Sequence, residues 1–251
     1  MRFRTLFTYI RYLWQRLWHS VLPSSCLWCS LPVQQANQQL CQHCLPALPQ
    51  LPYALCHYNL LWLPQISQGL PKPGFERLLA LALYQQPYQH WIRQWKFQAD
   101  LATEDWLLAQ FSHLLQHYLA AGQPLPEAIT FVPMHPKKRR KRGFNPAEHM
   151  AITAAETLKL PLLPLFERRQ HSHSQLGLNR RQRLKNLHQA YQFSPQAPLI
   201  LPSSVALIDD VLTTGATASE LCRLLRARGV SQISVWTLAV TPTPSHKKNQ
   251  S

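Results

Sequence analysis

Residues 205–219, Val-Ala-Leu-Ile-Asp-Asp-Val-Leu-Thr-Thr-Gly-Ala-Thr-Ala-Ser, constrain this chain more than any other stretch. An unbroken apolar run meets two adjacent carboxylates, Asp209 and Asp210. Apolar residues at consecutive rather than alternate positions describe a strand covered on both faces, as in a parallel sheet. The C-terminal ends of such strands open onto ligand crevices. The loop Thr213-Thr214-Gly215-Ala216-Thr217 then leads into a helix-forming segment. Its hydroxyls and closely approachable backbone N–H groups, at a helix N-terminus, make a seat for a phosphate dianion. The carboxylates one step upstream can accept hydrogen bonds from a sugar diol or hold a hydrated divalent metal. Together these groups suit a ribose 5-phosphate. Helix capping and a plain turn would use the same residue types, but two carboxylates at a buried strand end are costly to place without partners.

The 251 residues suffice for one ordinary domain and a small appendage, and 46% hydrophobic content supports a sizeable core. Lys and Arg total 26 against 11 Asp and Glu, a net charge of +15. That excess calls for an anionic partner and leaves its kind open: a polyphosphate, a nucleic acid or an anionic membrane. The first 21 residues interleave Phe3, Phe7, Tyr9, Tyr12, Trp14 and Trp18 with Arg2, Arg4, Arg11 and Arg16. Arginines cut the apolar stretches and no small-residue cleavage site follows, so this is not a secretory signal. It reads either as an interfacial membrane helix or as a helix packed on its own protein. No run reaches the length of a transmembrane span, and the expected location is cytoplasmic.

Four of the six cysteines form the pairs Cys26/Cys29 and Cys41/Cys44, each C-x2-C, with eleven residues between the pairs. Each pair places two thiolates on one tight knuckle, and two knuckles complete a tetrahedral Zn2+ site. In a reducing compartment this spacing favours metal over disulfides. Four thiolates leave no open position for water, which makes the site structural. His43, inside a knuckle, is not needed as a ligand; Cys56 and Cys222 read as lone buried thiols.

The expected organisation is a basic, aromatic helix with the zinc module over residues 1–50, then a Pro-rich linker over 51–74. An α/β domain follows over 75–241, with a disordered tail over 242–251. Residues 75–84 are compatible with strand or helix, and 88–97 and 103–120 carry helical spacing. From residue 129 the texture is strand–loop–helix. The first unit runs through Ile129–Pro133 to a helix over about 146–158, with Asn145 as N-cap and Pro146 at its first position. The loop between holds six consecutive cations, Lys137 to Arg142. It reads as a solvated face, a pyrophosphate seat or a nucleic-acid patch, and its place after a parallel strand favours an anion site beside the carboxylates. Residues 166–186 form a second cationic, turn-rich segment with Arg168, Arg169, Gln175 and Arg183, either a plain surface loop or a lid over charged substrate.

The segment around Asp209 and Asp210 resembles, position for position, the phosphoribosyl pyrophosphate (PRPP) loop of type I phosphoribosyltransferases. In that family the paired acids hold the ribose hydroxyls and the Thr-Thr-Gly-Ala-Thr loop wraps the 5-phosphate. Three further features extend the resemblance: Trp95-Lys96-Phe97 just before Asp100; Val132-Pro133 with Lys141-Arg142-Gly143-Phe144-Asn145, Ala147 and Glu148; and Gln175-x2-Leu178-x4-Arg183-x2-Asn186. With the four-cysteine cluster in front, the chain resembles the ComF family, also described as GntX-like DNA utilisation proteins, from Cys26 to Val240. Pro146 stands where that family commonly has Gln, and the run 137–142 is more basic than usual.

The resemblance implies a type I phosphoribosyltransferase-like parallel sheet flanked by helices behind a zinc module, and a role in natural competence or the use of external DNA. It implies PRPP, with Mg2+, at Asp209, Asp210, Thr213, Thr214, Gly215, Ala216 and Thr217. Lys137, Arg139, Arg140, Arg142, Gly143, Arg169, Gln175 and Arg183 become candidates for the pyrophosphate and the lid. In an enzyme those cations would stabilise a departing pyrophosphate; no residue stands out as general base, and the acceptor is unspecified. A non-enzymatic alternative stays open, in which the fold binds nucleotide or single-stranded DNA, or serves as an adaptor to DNA-uptake proteins.

Overall fold

In the computed structural model the described residues are 24–33, 35, 38–70, 72–169 and 190–243. Their framework is a four-stranded, wholly parallel sheet: β1 (Arg77–Leu83), β2 (Ala128–Phe131), β5 (Ser204–Leu212) and β6 (Gln232–Val240), in the order β1-β6-β5-β2. The segment left open between strand and helix is therefore strand β1, which pairs with β6 from Arg77–Ser234 to Leu83–Val240. β5 lies between β6 and β2. This central position explains its continuous apolar run: Val205, Ala206, Leu207 and Ile208 are all fully buried.

Successive residues serve opposite faces. Ala206 and Ile208 of β5, Trp236 and Leu238 of β6 and Leu79 of β1 belong to one apolar cluster. Val205, Leu207, Val235 and Leu78 belong to the other. The first face is covered by α3 (Tyr88–Gln98), α4 (Leu101–Ala120) and α6 (Pro146–Leu158). In α3 the buried residues Tyr88, Trp91, Ile92 and Trp95 recur at three- and four-residue spacing, one face of a helix. The second face is covered by α7 (Ala216–Ala227), by the short helices α1 (Tyr53–Cys56) and α2 (Pro64–Ser67), and by a 3-10 turn over Leu60–Trp62.

Residues 51–74, expected to be a linker, are thus part of the folded body: Cys56, Leu60, Ile66 and Leu70 are buried in the second cluster. Their helices are single turns of four residues, too short to leave a periodic signal. The four-cysteine module is not walled off either. Cys26, Val33, Leu40, Cys41 and Leu48 share the first cluster with Trp91 and Trp106. A two-stranded antiparallel hairpin stem, β3 (Phe166–Arg168) with β4 (Tyr191–Phe193), completes the fold. The expected N-terminal helix, most of the expected lid and the tail from residue 244 lie outside the described residues.

Candidate functional site: a carboxylate pair between a helix N-terminus and a basic rim

β5 carries Asp209 and Asp210 at the C-terminal end of the sheet, before the bend Thr213-Thr214-Gly215. The backbone N–H of Asp210 donates to Asp209 Oδ1 (2.8 Å). Thr237, on β6, donates its hydroxyl to the Asp210 carbonyl (2.9 Å). Burial, followed by the charge of Asp210, pushes the Asp209 carboxyl up to about 7; Lys96 opposes that rise. Asp210 is paired instead: Lys96 Nζ, from the last turn of α3, lies 2.8 Å from Asp210 Oδ2. At neutral pH the seat therefore holds one ion pair and one carboxyl close to its midpoint, not two bare negative charges.

Gly215 is the N-cap of α7 at φ +69°, in the left-handed region where glycine is favoured. It offers no capping side chain, so the first N–H groups of this twelve-residue helix face the bend without one. Thr213 and Thr214 are exposed, Ala216 and Thr217 half-buried, and a Cβ at Gly215 would lie 2.9 Å from Leu70 Cδ2. Leu70, from the segment expected to be a linker, thus packs against the bend.

A cleft of about 290 Å³ joins these parts. It is lined by Lys96, Lys138, Arg142, Arg168, Tyr191, Asp209, Asp210 and Thr217, among others. Pro133, Met134, Asn145 and Arg168 continue into a larger cavity of about 1040 Å³ that includes Arg139, Arg140 and Arg169. The six-cation segment is not the expected loop. It is a helix, α5 (Pro136–Arg142), with His135 as N-cap and Gly143 as its left-handed C-cap at φ +90°. Helical geometry sorts the cations. Lys138 and Arg142, four residues apart, line the carboxylate cleft; Arg139 and Arg140 line the larger cavity, with Arg139 3.0 Å from Glu148. Lys137 is exposed in the first turn, and the part played by Gly143 is to stop the helix. Asn145, 3% exposed, accepts from Ala147 N–H (3.3 Å) to cap α6 and donates to the Val132 carbonyl (3.0 Å), tying α6 to the end of β2.

From the hairpin, Arg168 stacks over Tyr191 at 5.4 Å, and its buried Nε has no hydrogen-bond partner among the described residues. Burial pushes the Tyr191 phenol up, against the opposing charge of Arg168 and a hydrogen bond with Thr217. Arg169 leads away: its Nε donates to Gln192 Oε1 (2.6 Å). Gln175 and Arg183 lie outside the described residues. Lys96 and Tyr191 line the cleft without having been assigned a role from the sequence. Arg168 and Lys138 were expected only as members of the candidate lid and of the cation run, and the helical phase of α5 is what separates Lys138 from its neighbours.

The four cysteines come together. Their Sγ atoms lie within 4.8 Å of one another, with Cys29 and Cys41 at 3.7 Å. Zinc–sulfur bonds of about 2.3 Å in a tetrahedron put sulfurs about 3.8 Å apart, so the donor set and its spacing fit zinc. The thiols divide without a metal: burial raises Cys26, but backbone hydrogen bonds at Cys29, Cys41 and Trp28 outweigh it and bring it down to about 6, whereas burial and the neighbouring thiols push Cys44 up. Cys56 and Cys222 are buried, and Cys222 is pushed up to about 12 by that burial, as expected for inert thiols.

The Haemophilus influenzae protein named Competence protein F is 31% identical over 225 residues, spanning 85% of this chain and 96% of that protein. The chain belongs to the ComF family. The Salmonella typhi DNA utilization protein YhgH is 29% identical over 237 residues, 88% of this chain and 98% of its own. Competence protein ComFC of Streptococcus pneumoniae is 26% identical over 159 residues, 63% of this chain and 66% of its own. No family model matches the chain. Among solved structures, the adenine phosphoribosyltransferases of Leishmania tarentolae and Leishmania donovani superpose at TM-scores of 0.35 and 0.34, with 15% and 17% identity. They cover 57% and 56% of this chain and 73% and 69% of theirs, a likeness too slight to carry an argument. Among the described residues, no helix is long and apolar enough to cross a membrane.

Proposed function

We propose that the cleft at the end of β5 binds Mg-PRPP or a related ribose phosphate, in a protein that serves natural competence or the use of external DNA. The observation that carries this reading is the adjacency of two carboxylates to the glycine-capped N-terminus of α7. A vicinal diol donates two hydrogen bonds and needs two acceptors; Asp209 and Asp210, which both line the cleft, would supply them. A phosphate needs donors and positive potential, which the α7 N–H groups and the hydroxyls of Thr213, Thr214 and Thr217 supply. The pyrophosphate would then lie towards Lys138, Arg142 and Arg168 at the rim. Magnesium fits as a companion of the diphosphate, because it keeps waters and takes few protein carboxylates. When bound, it would neutralise charge on the leaving group. In a transferase, an acceptor would bond to the anomeric carbon as the bond from that carbon to pyrophosphate breaks.

Calorimetric titration with PRPP and Mg2+, beside Asp210→Asn at matched salt, tests the reading. Saturable binding that the variant loses supports it and licenses a screen of nucleobases and amines for pyrophosphate release. No binding by the folded wild type refutes it.

One observation favours a second reading. Phe97 is 72% exposed beneath the Arg142 guanidinium, 5.3 Å from its ring centre, beside Lys138 and Lys141. An exposed ring among cations suits the stacked bases of a nucleotide or of single-stranded DNA. Affinity for an oligonucleotide that falls steeply with salt, survives Asp210→Asn and is lost in Phe97→Ala would move the function to that surface.

A further inference from the structure

The zinc module and the carboxylate cleft meet the same helix. The Trp91 indole, in the first half of α3, donates Nε1–H to the carbonyl of Leu27 (3.0 Å), inside the first cysteine knuckle. Trp28, in that knuckle, packs edge-on against Trp91 at 6.3 Å. Leu27 N–H donates to the Gln39 carbonyl (2.9 Å), and the Gln39 amide reaches the Ala102 carbonyl at the start of α4 (3.4 Å). Trp91 is fully buried, edge-on to Tyr88 and tilted against Trp106, in the cluster that also holds Cys26 and Cys41. Five residues further on, about 7.5 Å along the helix axis, α3 delivers Lys96 to Asp210. After three more residues Ala99 turns left-handed, its N–H on the Trp95 carbonyl, and ends the helix.

From this arrangement we infer that the four-cysteine module positions Lys96: the metal-closed knuckle holds Trp91, and Trp91 fixes the place of α3 that keeps the ammonium on Asp210. Trp91 is a positioning residue and Lys96 the group it acts through. The expected effect on ligand affinity rests on the reading of the cleft as a ribose-phosphate seat; the effect on α3 itself does not. The module's apolar residues already pack in one cluster with Trp91; a metal held by all four sulfurs would in addition tie the two knuckles to each other, and that closure is what makes the buttress rigid.

The test uses the zinc-loaded full chain, the chain stripped of zinc by a chelator, Trp91→Phe and Lys96→Met. Hydrogen exchange read over residues 88–99 should quicken on zinc removal, most in the last turn. Trp91→Phe keeps a ring in place but loses the N–H to Leu27. It should retain its zinc and bind PRPP about fivefold more weakly or worse, in the range of ordinary site-to-site coupling. In a Lys96→Met background, zinc removal and Trp91→Phe should each change affinity by less than about twofold, because the group they act through is gone. Unchanged exchange in α3 after zinc loss overturns the inference. Equal loss of affinity in both backgrounds overturns it too, since it would mark a general loss of structure. Absence of PRPP binding by the zinc-loaded wild type removes the ribose-phosphate reading alone, and exchange in α3 still decides the coupling.

Discussion

Asp209→Asn should stabilise this protein near neutral pH and leave it unchanged in acid. Burial and the neighbouring Asp210 hold the Asp209 carboxyl at about 7 in the folded chain, against an ordinary 3.8. An acid whose folded value is raised binds its proton more tightly in the native state. The unfolded chain releases that proton first as pH rises, so stability falls between about pH 4 and pH 7 and levels off above. At about 1.4 kcal/mol per pH unit, the window is worth on the order of 4 kcal/mol. The amide of Asn keeps the acceptor for Asp210 N–H and removes the ionisation. The assay is urea denaturation of both proteins from pH 4 to pH 8. Subtracting one curve from the other cancels the titrating groups distant from this site, which add independently, and leaves Asp209 with its neighbours Asp210 and Lys96. The expected difference is near zero at pH 4 and grows to about 2–4 kcal/mol in favour of Asp209→Asn by pH 7.5. Parallel stability profiles would refute the claim that the folded chain holds this carboxyl against its ionisation. Asn also donates where a diol needs an acceptor, so the same variant should bind PRPP less well, the usual trade of stability against function at a strained site.

Gly215→Ala should destabilise the chain by about 1–2 kcal/mol, the cost of a left-handed residue with a Cβ, and weaken phosphate binding at α7. In a Leu70→Ala background, which removes the 2.9 Å contact, Gly215→Ala should cost as much as it does in the wild type; a clearly smaller cost there in thermal melts would place it in the contact rather than in the backbone. Asn145→Ala removes both the cap of α6 and the tie to Val132, and should lower the urea midpoint by an amount equivalent to about 1–2 kcal/mol. A midpoint within error of wild type would show that water replaces both bonds.

What could be read in advance follows the range of the signals. The run 205–208 announces a doubly covered strand because burial of every residue is a local property, and β5 is the central strand that results. The cysteine spacing is local in the same sense. Lys96 meeting Asp210 is not: it depends on α3 crossing the sheet, and nothing in Trp95-Lys96-Phe97 records the partner. The cation run shows the opposite failure. Pro136 and Gly143 mark a helix start and stop, but the run lies between a strand and the next helix and reads there as their connecting loop. The helix resolves the repulsion among its cations by fanning the side chains to different sides and giving Arg139 to Glu148 and Arg142 to the Phe97 ring. Residues 51–74 were misread because single-turn helices have no period to detect, although their buried Leu60, Ile66 and Leu70 are ordinary core residues.

The division of labour around the cleft follows from how charge acts at different distances. With Lys and Arg at 26 against 11 acidic residues, the chain as a whole attracts any polyanion. The rim cations Lys138, Arg142 and Arg168 concentrate that attraction at one mouth. None of this selects a sugar phosphate over another anion, because a field reads only charge. Selection needs a feature that a mere polyanion cannot satisfy, and the acidic pair at the floor is such a feature. A phosphate placed there meets Asp210 and an Asp209 poised to ionise, whereas a diol meets two acceptors. The Lys96–Asp210 pair makes this arrangement tolerable in the empty site, since one carboxylate is already neutralised and the other is held near its midpoint. Salt should therefore weaken capture of all anions alike, while the preference for a ligand bearing a diol over one without it should persist, because short hydrogen bonds in a half-buried seat are little screened.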